Sequence, residues 1–299
     1  MERLEGVYCA LWTPTDQNGE VLWGSFERHL GFVLKSGVHG IMALGSTGEF
    51  PHLTITQRKE LLARIISGCK THGRQVIANV SDVQIRNVIE LARHAKKLGA
   101  DCVSILPPWF FPLEQRDLAE FFLEVARQAE AALALYNFPE VTGKKIELET
   151  IERIAREAKV VALKQSGEDF NYHRDLLRVG QQFGFPVLSG ADTRLEETLG
   201  LGCSGTVSGL ANAIPEFLCE IFKNFKKGER SAKQTAFVAA VSREIQPLLF
   251  PLNVKAAIEA RGFETGFPKM PISEKTNALY RAVVASLTAL FHEAGLSRN

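Results

Sequence analysis

The sequence predicts a (β/α)₈ TIM barrel followed by an all-helical C-terminal extension. Short runs of apolar, β-type residues alternate eight times with longer helical stretches, which is typical of βαβ units and a parallel sheet. The ends of successive runs, from Gly45 to Gly190, recur at intervals of 26 to 34 residues, close to the ~30 residues of one βα unit. The β-type runs stop after Asn212. We therefore expect a barrel domain, 1–213, and a helical domain, 214–299.

The eight predicted strands are continuous apolar runs rather than alternating ones, as expected for strands that are covered on both faces. They span 6–14, 37–46, 75–81, 101–108, 133–139, 160–166, 185–192 and 205–212. A doubly wound sheet could also hold eight strands. The regular spacing favours closure into a barrel.

The stretches between the strands carry the end signals of helices. Thr54 or Thr56 can cap the helix of "TITQRKELLARIISGCK", and Gly99 can end the helix of "VQIRNVIELARHAKKLG". The extension predicts about three helices. His173 lies among charged residues in "NYHRD", and we expect it on a surface turn.

Composition excludes several classes of function. The 35 basic and 34 acidic residues nearly balance and form no basic stripe, so nucleic-acid binding is not expected. The seven histidines show no HExxH spacing, and we expect no metal site. The sequence "GLGCSG", 200–205, matches a dinucleotide-binding pattern, but it follows a helix and precedes a strand, the reverse of the required order.

The cysteines and the chain start indicate the compartment. The five cysteines are odd in number and lack CxxC spacing, which favours a reducing compartment over a disulfide framework. The first residues have no signal-peptide layout. No apolar run approaches the ~18–20 residues that would cross a membrane. We therefore expect a cytoplasmic protein without membrane contact.

Polar and glycine residues collect at the predicted strand ends. In a closed barrel these ends surround one opening, where the active site lies. The candidate residues there are Gly45, Ser46, Thr47, Tyr136, Lys164, Gly190, Asp192, Val207 and Ser208.

Lys164 ends the apolar run "VVALK". It could be a strand-end lysine whose amine reaches water. In a partly desolvated site, however, a larger share of the amine is neutral and can attack a ketone to form a Schiff base. The run "GSTGEF" could likewise be a simple turn, or a cradle in which backbone N–H groups and two hydroxyls bind a carboxylate. Tyr136 could be a core residue, and Asp192 a helix cap.

Three motifs together resemble one known family. "GSTGE" after strand two, "YNFP" after strand five and the lysine strand 28 residues after Tyr136 are similar to the dihydrodipicolinate synthase / N-acetylneuraminate lyase family. The resemblance runs over essentially the whole chain. It implies a class I aldolase that acts on pyruvate or a related 2-oxo acid without metal or organic cofactor. It also implies a homotetramer, built as a dimer of dimers.

The resemblance assigns roles to the candidate residues. It implies that Lys164 forms the Schiff base and that Tyr136 transfers protons. It implies that Ser46 and Thr47 hold the pyruvate carboxylate, with Gly45 beside them. Val207 and Ser208 match the strand-eight lining of the pyruvate pocket, and Gly190, Asp192 and Ser208 match positions that bind the polyol tail in the sugar-acid lyases.

Departures from the family pattern narrow the activity. The members that make dihydrodipicolinate carry an arginine where this chain has Val141, and a partner-subunit tyrosine where it has Phe110. Valine cannot replace a bidentate carboxylate clamp. Thr193 replaces a glutamate of the sialic-acid lyase, which argues against sialic acid itself.

The sequence therefore predicts a Schiff-base lyase that cleaves or dehydrates a 2-keto sugar acid or a similar 2-oxo acid, with pyruvate as product or donor. Dihydrodipicolinate synthesis proper is one alternative. The missing hydroxyl at Phe110 motivates another, a non-catalytic protein that binds 2-oxo acids. A third is an unrelated barrel that binds phosphate through the glycines of strands seven and eight.

Overall fold

The computed structural model describes residues 2–167 and 169–296. Eight parallel strands pair in chain order, and β1 also pairs with β8 to close the barrel. The strands are β1 Gly6–Ala10, β2 Gly40–Ala43, β3 Gln75–Asn79, β4 Cys102–Ile105, β5 Leu133–Asn137, β6 Val160–Gln165, β7 Val187–Ser189 and β8 Gly205–Ser208. The predicted (β/α)₈ barrel is confirmed, and closure excludes the doubly wound alternative.

Most of the strands are shorter than the apolar runs that predicted them. The run 37–46 contains β2 and the first residue of the turn that follows it, and 185–192 contains the three residues of β7. The extra residues are mainly loops at the carboxyl ends of the strands. The sequence predicts these loop residues as strand because they too are apolar or small, as residues close to the barrel opening often are.

Helices surround the barrel. They are α1 Trp23–Lys35, α2 Ile55–Thr71, α3 Ile85–Leu98, α4 Gln115–Ala129, α5 Pro139–Thr142, α6 Leu148–Glu157, α7 Phe170–Phe183 and α8 Leu195–Leu201. Thr54 caps α2 in a capping box with Gln57, and Gly99 ends α3 in the left-handed conformation, as predicted. The expected position of His173 on a surface turn is wrong. His173 lies in α7 and is fully buried, and its Nδ1 is 3.0 Å from the carbonyl oxygen of Asp169.

The extension holds four helices in the described residues rather than about three. They are α9 Pro215–Lys226, α10 Ala232–Ile245, α11 Leu252–Ala260 and α12 Glu274–Glu293. The helix α11 is short and buried along most of its length, so it lacks the polar face by which a helix is recognised in sequence. Within 2–167 and 169–296, no helix is long and apolar enough to cross a membrane.

The extension packs over the carboxyl ends of two strands. The helix α10 contacts the turn Asp192–Arg194 after β7, and α11 contacts the turn Leu210–Asn212 after β8. Barrel and extension residues share one apolar core. The domain division at residue 213 remains a prediction, but the extension reaches the end of the barrel where the candidate residues collect.

Candidate active site

Lys164 and Tyr136 lie side by side at the carboxyl ends of neighbouring strands. They are paired in the register of β5 and β6, so their side chains point to the same face of the sheet. Lys164 Nζ donates a hydrogen bond to the Tyr136 hydroxyl at 3.0 Å and lies 3.8 Å from Met42 Sδ. Lys164 is 7% exposed and Tyr136 1%. The amine is therefore held beside a phenol, away from bulk water.

A short turn after β2 completes a row of polar atoms. Ser46, Thr47 and Gly48 form a 3₁₀ turn, and Ser46 Oγ lies 3.4 Å from the Tyr136 hydroxyl. Gly48 is required by close packing, since a Cβ there would lie 2.8 Å from the carbonyl oxygen of Leu11. The hydroxyls of Ser46 and Tyr136 and the amine of Lys164 thus follow one another at hydrogen-bonding range.

A buried ion pair ties this turn to the extension. Glu49, which follows the turn with a φ of +53°, accepts a hydrogen bond from Lys269 Nζ at 2.9 Å. Lys269 Nζ also donates to the Thr13 carbonyl oxygen and lies 4.8 Å from the centre of the Trp12 ring. Burial lowers the pKa of Lys269, and Glu49 opposes this effect. The sequence showed no sign of this contact, because its partners are far apart in the chain.

A cavity of about 420 Å³ opens onto Lys164. Of the residues predicted from sequence, Thr47, Tyr136, Lys164, Gly190, Asp192 and Val207 line it. We call it the main cavity. Ser46 instead lines a neighbouring cavity of about 290 Å³, the side cavity, with Trp109, Val141 and Phe250 among its other walls.

Two predicted residues do not line either cavity. Ser208 is fully buried in β8, and its Oγ accepts a hydrogen bond from the backbone N–H of Ala211 at 3.0 Å. Gly45 is the extended residue before the 3₁₀ turn. Both residues lie near the other predicted site residues, but in the structure they support the loops that follow β2 and β8.

Asp192 has one free carboxylate oxygen. Oδ2 accepts the backbone N–H of Leu210 at 3.0 Å, whereas Oδ1 is buried and has no hydrogen-bond partner among the described residues. Burial raises the pKa of Asp192 to about 6, and the hydrogen bonds from Leu210 and Ser208 and the charge of Lys164 oppose the rise. Oδ1 is closed off from the main cavity as well, because it has almost no accessible surface.

Sequence reasoning missed the residues that the extension brings to the main cavity. Ser242, Gln246 and Asn253 line it from the region of α10 and α11, together with the aromatic wall of Phe138 and Phe250. Phe138 lies parallel to Tyr136 at a ring distance of 6.0 Å. No local pattern marks these residues, because their role depends on how the extension packs.

Within the part of the chain that the structure describes, no group of three or more His, Cys, Asp and Glu side chains could hold a metal ion. The chemistry available in the main cavity is that of an amine, a phenol, hydroxyls and one carboxylate.

Comparisons with known proteins place the chain in a family. Residues 3–290 match the model described as the dihydrodipicolinate synthetase family. The 4-hydroxy-tetrahydrodipicolinate synthase of Staphylococcus haemolyticus is 30% identical over 273 residues, 90% of this chain and 92% of that protein. The synthase named likewise from Thermosipho africanus is 31% identical over 281 residues, 91% and 94% of the two chains.

Solved structures agree in fold. A crystal structure of dihydrodipicolinate synthase has a TM-score of 0.87 and 26% identity, covering 98% of this chain and 100% of that one. YagE of E. coli K12, in complex with pyruvate, has a TM-score of 0.88 at 24% identity, covering 96% and 98%. This chain therefore belongs to the dihydrodipicolinate synthetase family of pyruvate-dependent lyases and aldolases, and it is an enzyme of that type.

Proposed function

We propose that this lyase forms an imine between Lys164 and the keto carbon of a 2-oxo acid. We further propose that it reversibly cleaves or dehydrates a 2-keto sugar acid or similar 2-oxo acid, with pyruvate as product or donor. The observation that carries the proposal is the 3.0 Å contact between the Lys164 amine and the Tyr136 hydroxyl on the wall of the main cavity. This geometry unites nucleophile and proton carrier at one point.

The reaction starts with the substrate carboxylate near the hydroxyls of Ser46 and Thr47. The neutral amine of Lys164 adds to the keto carbon, and loss of water from the adduct leaves an imine. Tyr136 carries the protons between amine, hydroxyl and departing water. No metal or organic cofactor is needed, because the protonated imine is itself the electron sink.

Cleavage then follows from the imine. Tyr136 accepts the proton of the C4 hydroxyl while the C3–C4 bond breaks, and the electron pair moves into the imine to give an enamine and an aldehyde. Protonation of the enamine at C3 and addition of water release pyruvate and restore the amine. In the alternative dehydration, the imine of the intact substrate loses a proton from C3 to give an enamine, and this enamine expels the C4 hydroxyl, which takes up that proton and leaves as water.

Two departures from the family pattern favour a hydroxylated substrate over aspartate semialdehyde. Val141 lines the side cavity where an arginine would hold a second carboxylate, and Phe110, 74% exposed, has no hydroxyl to add to a proton relay. Dihydrodipicolinate synthesis is the second candidate activity, because two of the similar proteins are named 4-hydroxy-tetrahydrodipicolinate synthases.

We also propose that the chain assembles as a homotetramer. Phe110 and Phe111 are 74% and 72% exposed and stack edge to face, with Leu113 beside them in sequence and 38% exposed. Three apolar side chains in four residues are unusual on a free surface and are typical of an interface. The absence of a hydroxyl at Phe110 means that, in such an assembly, the proton relay uses Tyr136 of the same subunit.

The test is reduction of the imine. Borohydride added with pyruvate should leave a stable adduct on Lys164, found by peptide mass spectrometry, and Lys164→Met should form none. Lys255 is the internal control: it is also buried and lies 3.3 Å from a tyrosine hydroxyl, but it lines neither cavity. An adduct on Lys255 or no adduct at all would overturn the proposal.

A substrate panel separates the candidates. It holds 2-keto-3-deoxy sugar acids, N-acetylneuraminate, 4-hydroxy-2-oxoglutarate, and aspartate semialdehyde with pyruvate, read by pyruvate release or uptake. Cleavage of a sugar acid supports the first candidate, and pyruvate uptake with the semialdehyde supports the second. An adduct on Lys164 with no turnover would identify a non-catalytic binder of 2-oxo acids.

A further inference from the structure

The extension supplies one wall of the main cavity. Because α10 packs on the turn after β7 and α11 on the turn after β8, their neighbouring ends lie over the barrel opening. Ser242, Gln246 and Asn253 line the same cavity as Lys164 from this side. A substrate attached to Lys164 would extend its far end toward them.

These three side chains have unused hydrogen-bonding groups. Among the described residues, neither Ser242 Oγ nor the Gln246 amide has a hydrogen-bond partner, and Asn253 uses only Oδ1, which accepts the backbone N–H of Val254 at 2.7 Å. Asn212, nearby on β8's turn, is different: Oδ1 accepts from Trp12 and Nδ2 donates to Ala10. The three polar side chains that the extension brings to the cavity thus keep free hydrogen-bonding groups, whereas the nearby Asn212 does not.

The charges around the cavity are few. Of its described lining residues, only Lys164 and Asp192 carry a charge, and in the imine the Lys164 nitrogen is bonded to the keto carbon, at the near end of the substrate. A second carboxylate or a phosphate at the far end of a substrate would find no cation there, and an anion without a partner is costly to desolvate. Neutral hydroxyl groups can instead pair with the amides of Gln246 and Asn253 and with the hydroxyl of Ser242.

We propose that Ser242, Gln246 and Asn253 determine specificity by binding the distal part of the substrate, and that this part is an uncharged, hydroxylated carbon chain. The inference rests on the proposed function and extends it, since it assigns the recognition of the aldehyde half to the extension. Phe138 and Phe250 form the apolar surface against which the C–H faces of such a chain can pack.

The experiment compares a long and a short substrate. Ser242→Ala, Gln246→Met and Asn253→Leu remove the polar groups but nearly keep the shapes. For a six-carbon 2-keto-3-deoxy sugar acid, we expect each variant to lower kcat/KM about tenfold, mainly through KM, as for lost hydrogen bonds to a bound hydroxyl. For 4-hydroxy-2-oxopentanoate, which has no distal hydroxyls, kcat/KM should change less than about twofold. Gln234→Met, on α10 but outside the cavity, is the matched control.

Reductive trapping gives a readout that does not need turnover. The yield of the Lys164 adduct at subsaturating sugar acid should fall in the three variants. The yield with pyruvate, which has no distal chain, should stay at the wild-type level, because imine formation itself does not need the three side chains. Equal losses with sugar acid, 4-hydroxy-2-oxopentanoate and pyruvate would show a structural role and overturn the inference. So would unchanged kinetics with the long substrate, or a wild-type preference for 4-hydroxy-2-oxoglutarate over every neutral chain. Failure of the wild type to form any adduct would instead overturn the proposed function.

Discussion

At the scale of residues, the contact between Lys164 and Tyr136 links the sequence to the proposed chemistry. Their strand register places them side by side. Both side chains are largely buried, which limits the access of water to the amine and the hydroxyl. In the proposed reaction the two residues act together, since the amine must lose a proton to attack and the departing oxygen must gain one.

Tyr136→Phe tests the proton transfer. The ring keeps its place against Phe138, so the cavity should retain its shape while the hydroxyl is lost. We expect kcat to fall about 10²–10⁴-fold, the range of general acid–base catalysis, with a slower rate of adduct formation measured by trapping after short times.

Tyr172→Phe is the control for that experiment. Tyr172 is also a buried tyrosine, and its hydroxyl donates to the carbonyl oxygen of Ile146, away from Lys164. The substitution should lower stability but leave kcat near the wild-type value. Equal kcat values for Tyr136→Phe and the wild type would contradict the proposed role of Tyr136.

The raised pKa of Asp192 predicts that the stability of the protein depends on pH. Burial raises its pKa from 3.8 to about 6, so between these values the folded protein holds a proton that the unfolded chain has lost. The contribution of Asp192 to stability is therefore present below about pH 4 and is lost as the pH rises through 6. Asp192→Asn cannot ionise, so we expect its free energy of unfolding, relative to the wild type, to rise by about 1–3 kcal/mol between pH 4.5 and 7.

Urea unfolding at the two pH values measures the effect. Asp117→Asn is the control, because Asp117 is exposed at the start of α4. A relative stability of Asp192→Asn that stays constant or falls between pH 4.5 and 7 would contradict the assigned pKa.

At the scale of elements, the closure of the barrel depends on the seam between β1 and β8. Gly6 and Gly205 are register partners there, and the backbones approach too closely for a side chain. A Cβ at Gly205 would lie 1.9 Å from the carbonyl oxygen of Gly6. Closure matters for function because it brings the ends of β2, β5, β6 and β7 around a single opening.

Gly205→Ala should therefore destabilise the fold by about 3 kcal/mol or more, since backbone atoms must move. The matched control is Gly200→Ala in α8, where a Cβ meets no atom within 4 Å and helix propensity predicts a gain of about 0.5–1 kcal/mol. Chemical unfolding of both variants gives the comparison. Similar stabilities of the two variants would show that the seam tolerates a side chain.

The element scale also shows where sequence patterns mislead. His173 stands among charged neighbours, yet α7 turns it toward the barrel, where Nε2 lies 3.3 Å from Ser189 Oγ. Helical periodicity, rather than the polarity of adjacent residues, decides which side chains are buried. The sequence does not predict α11 as a separate helix, because this helix is buried along most of its length and lacks the periodic alternation of polar and apolar residues.

At the scale of the whole molecule, assembly is the open structural prediction. Phe110→Asp combined with Phe111→Asp should weaken the proposed tetramer, because two charges would replace an exposed apolar surface. Light scattering over a range of protein concentrations measures the molar mass. Val83→Asp, at a separate exposed apolar position, is the control and should leave the mass unchanged. A wild-type chain that is monomeric at every concentration would contradict the assembly.

The sequence by itself determined the barrel, the order of its strands and the position of Lys164 and Tyr136 at the barrel opening. Each of these depends on local properties: the apolar content of short runs, their spacing, and the rule that parallel strands end at one opening. Ser46 and Thr47 were found by the same rule, since they immediately follow β2.

Only the tertiary structure decided the contacts between distant segments. It placed Ser242, Gln246 and Asn253 in the wall of the cavity that Lys164 lines, and it paired Lys269 with Glu49. Within the described part of the chain, it left one oxygen of Asp192 without a partner. It also withdrew Ser208 from the cavity into the fold. Burial and hydrogen bonding at these positions arise from the packing of the extension on the barrel, and packing between segments so far apart in the chain leaves no local pattern in the sequence.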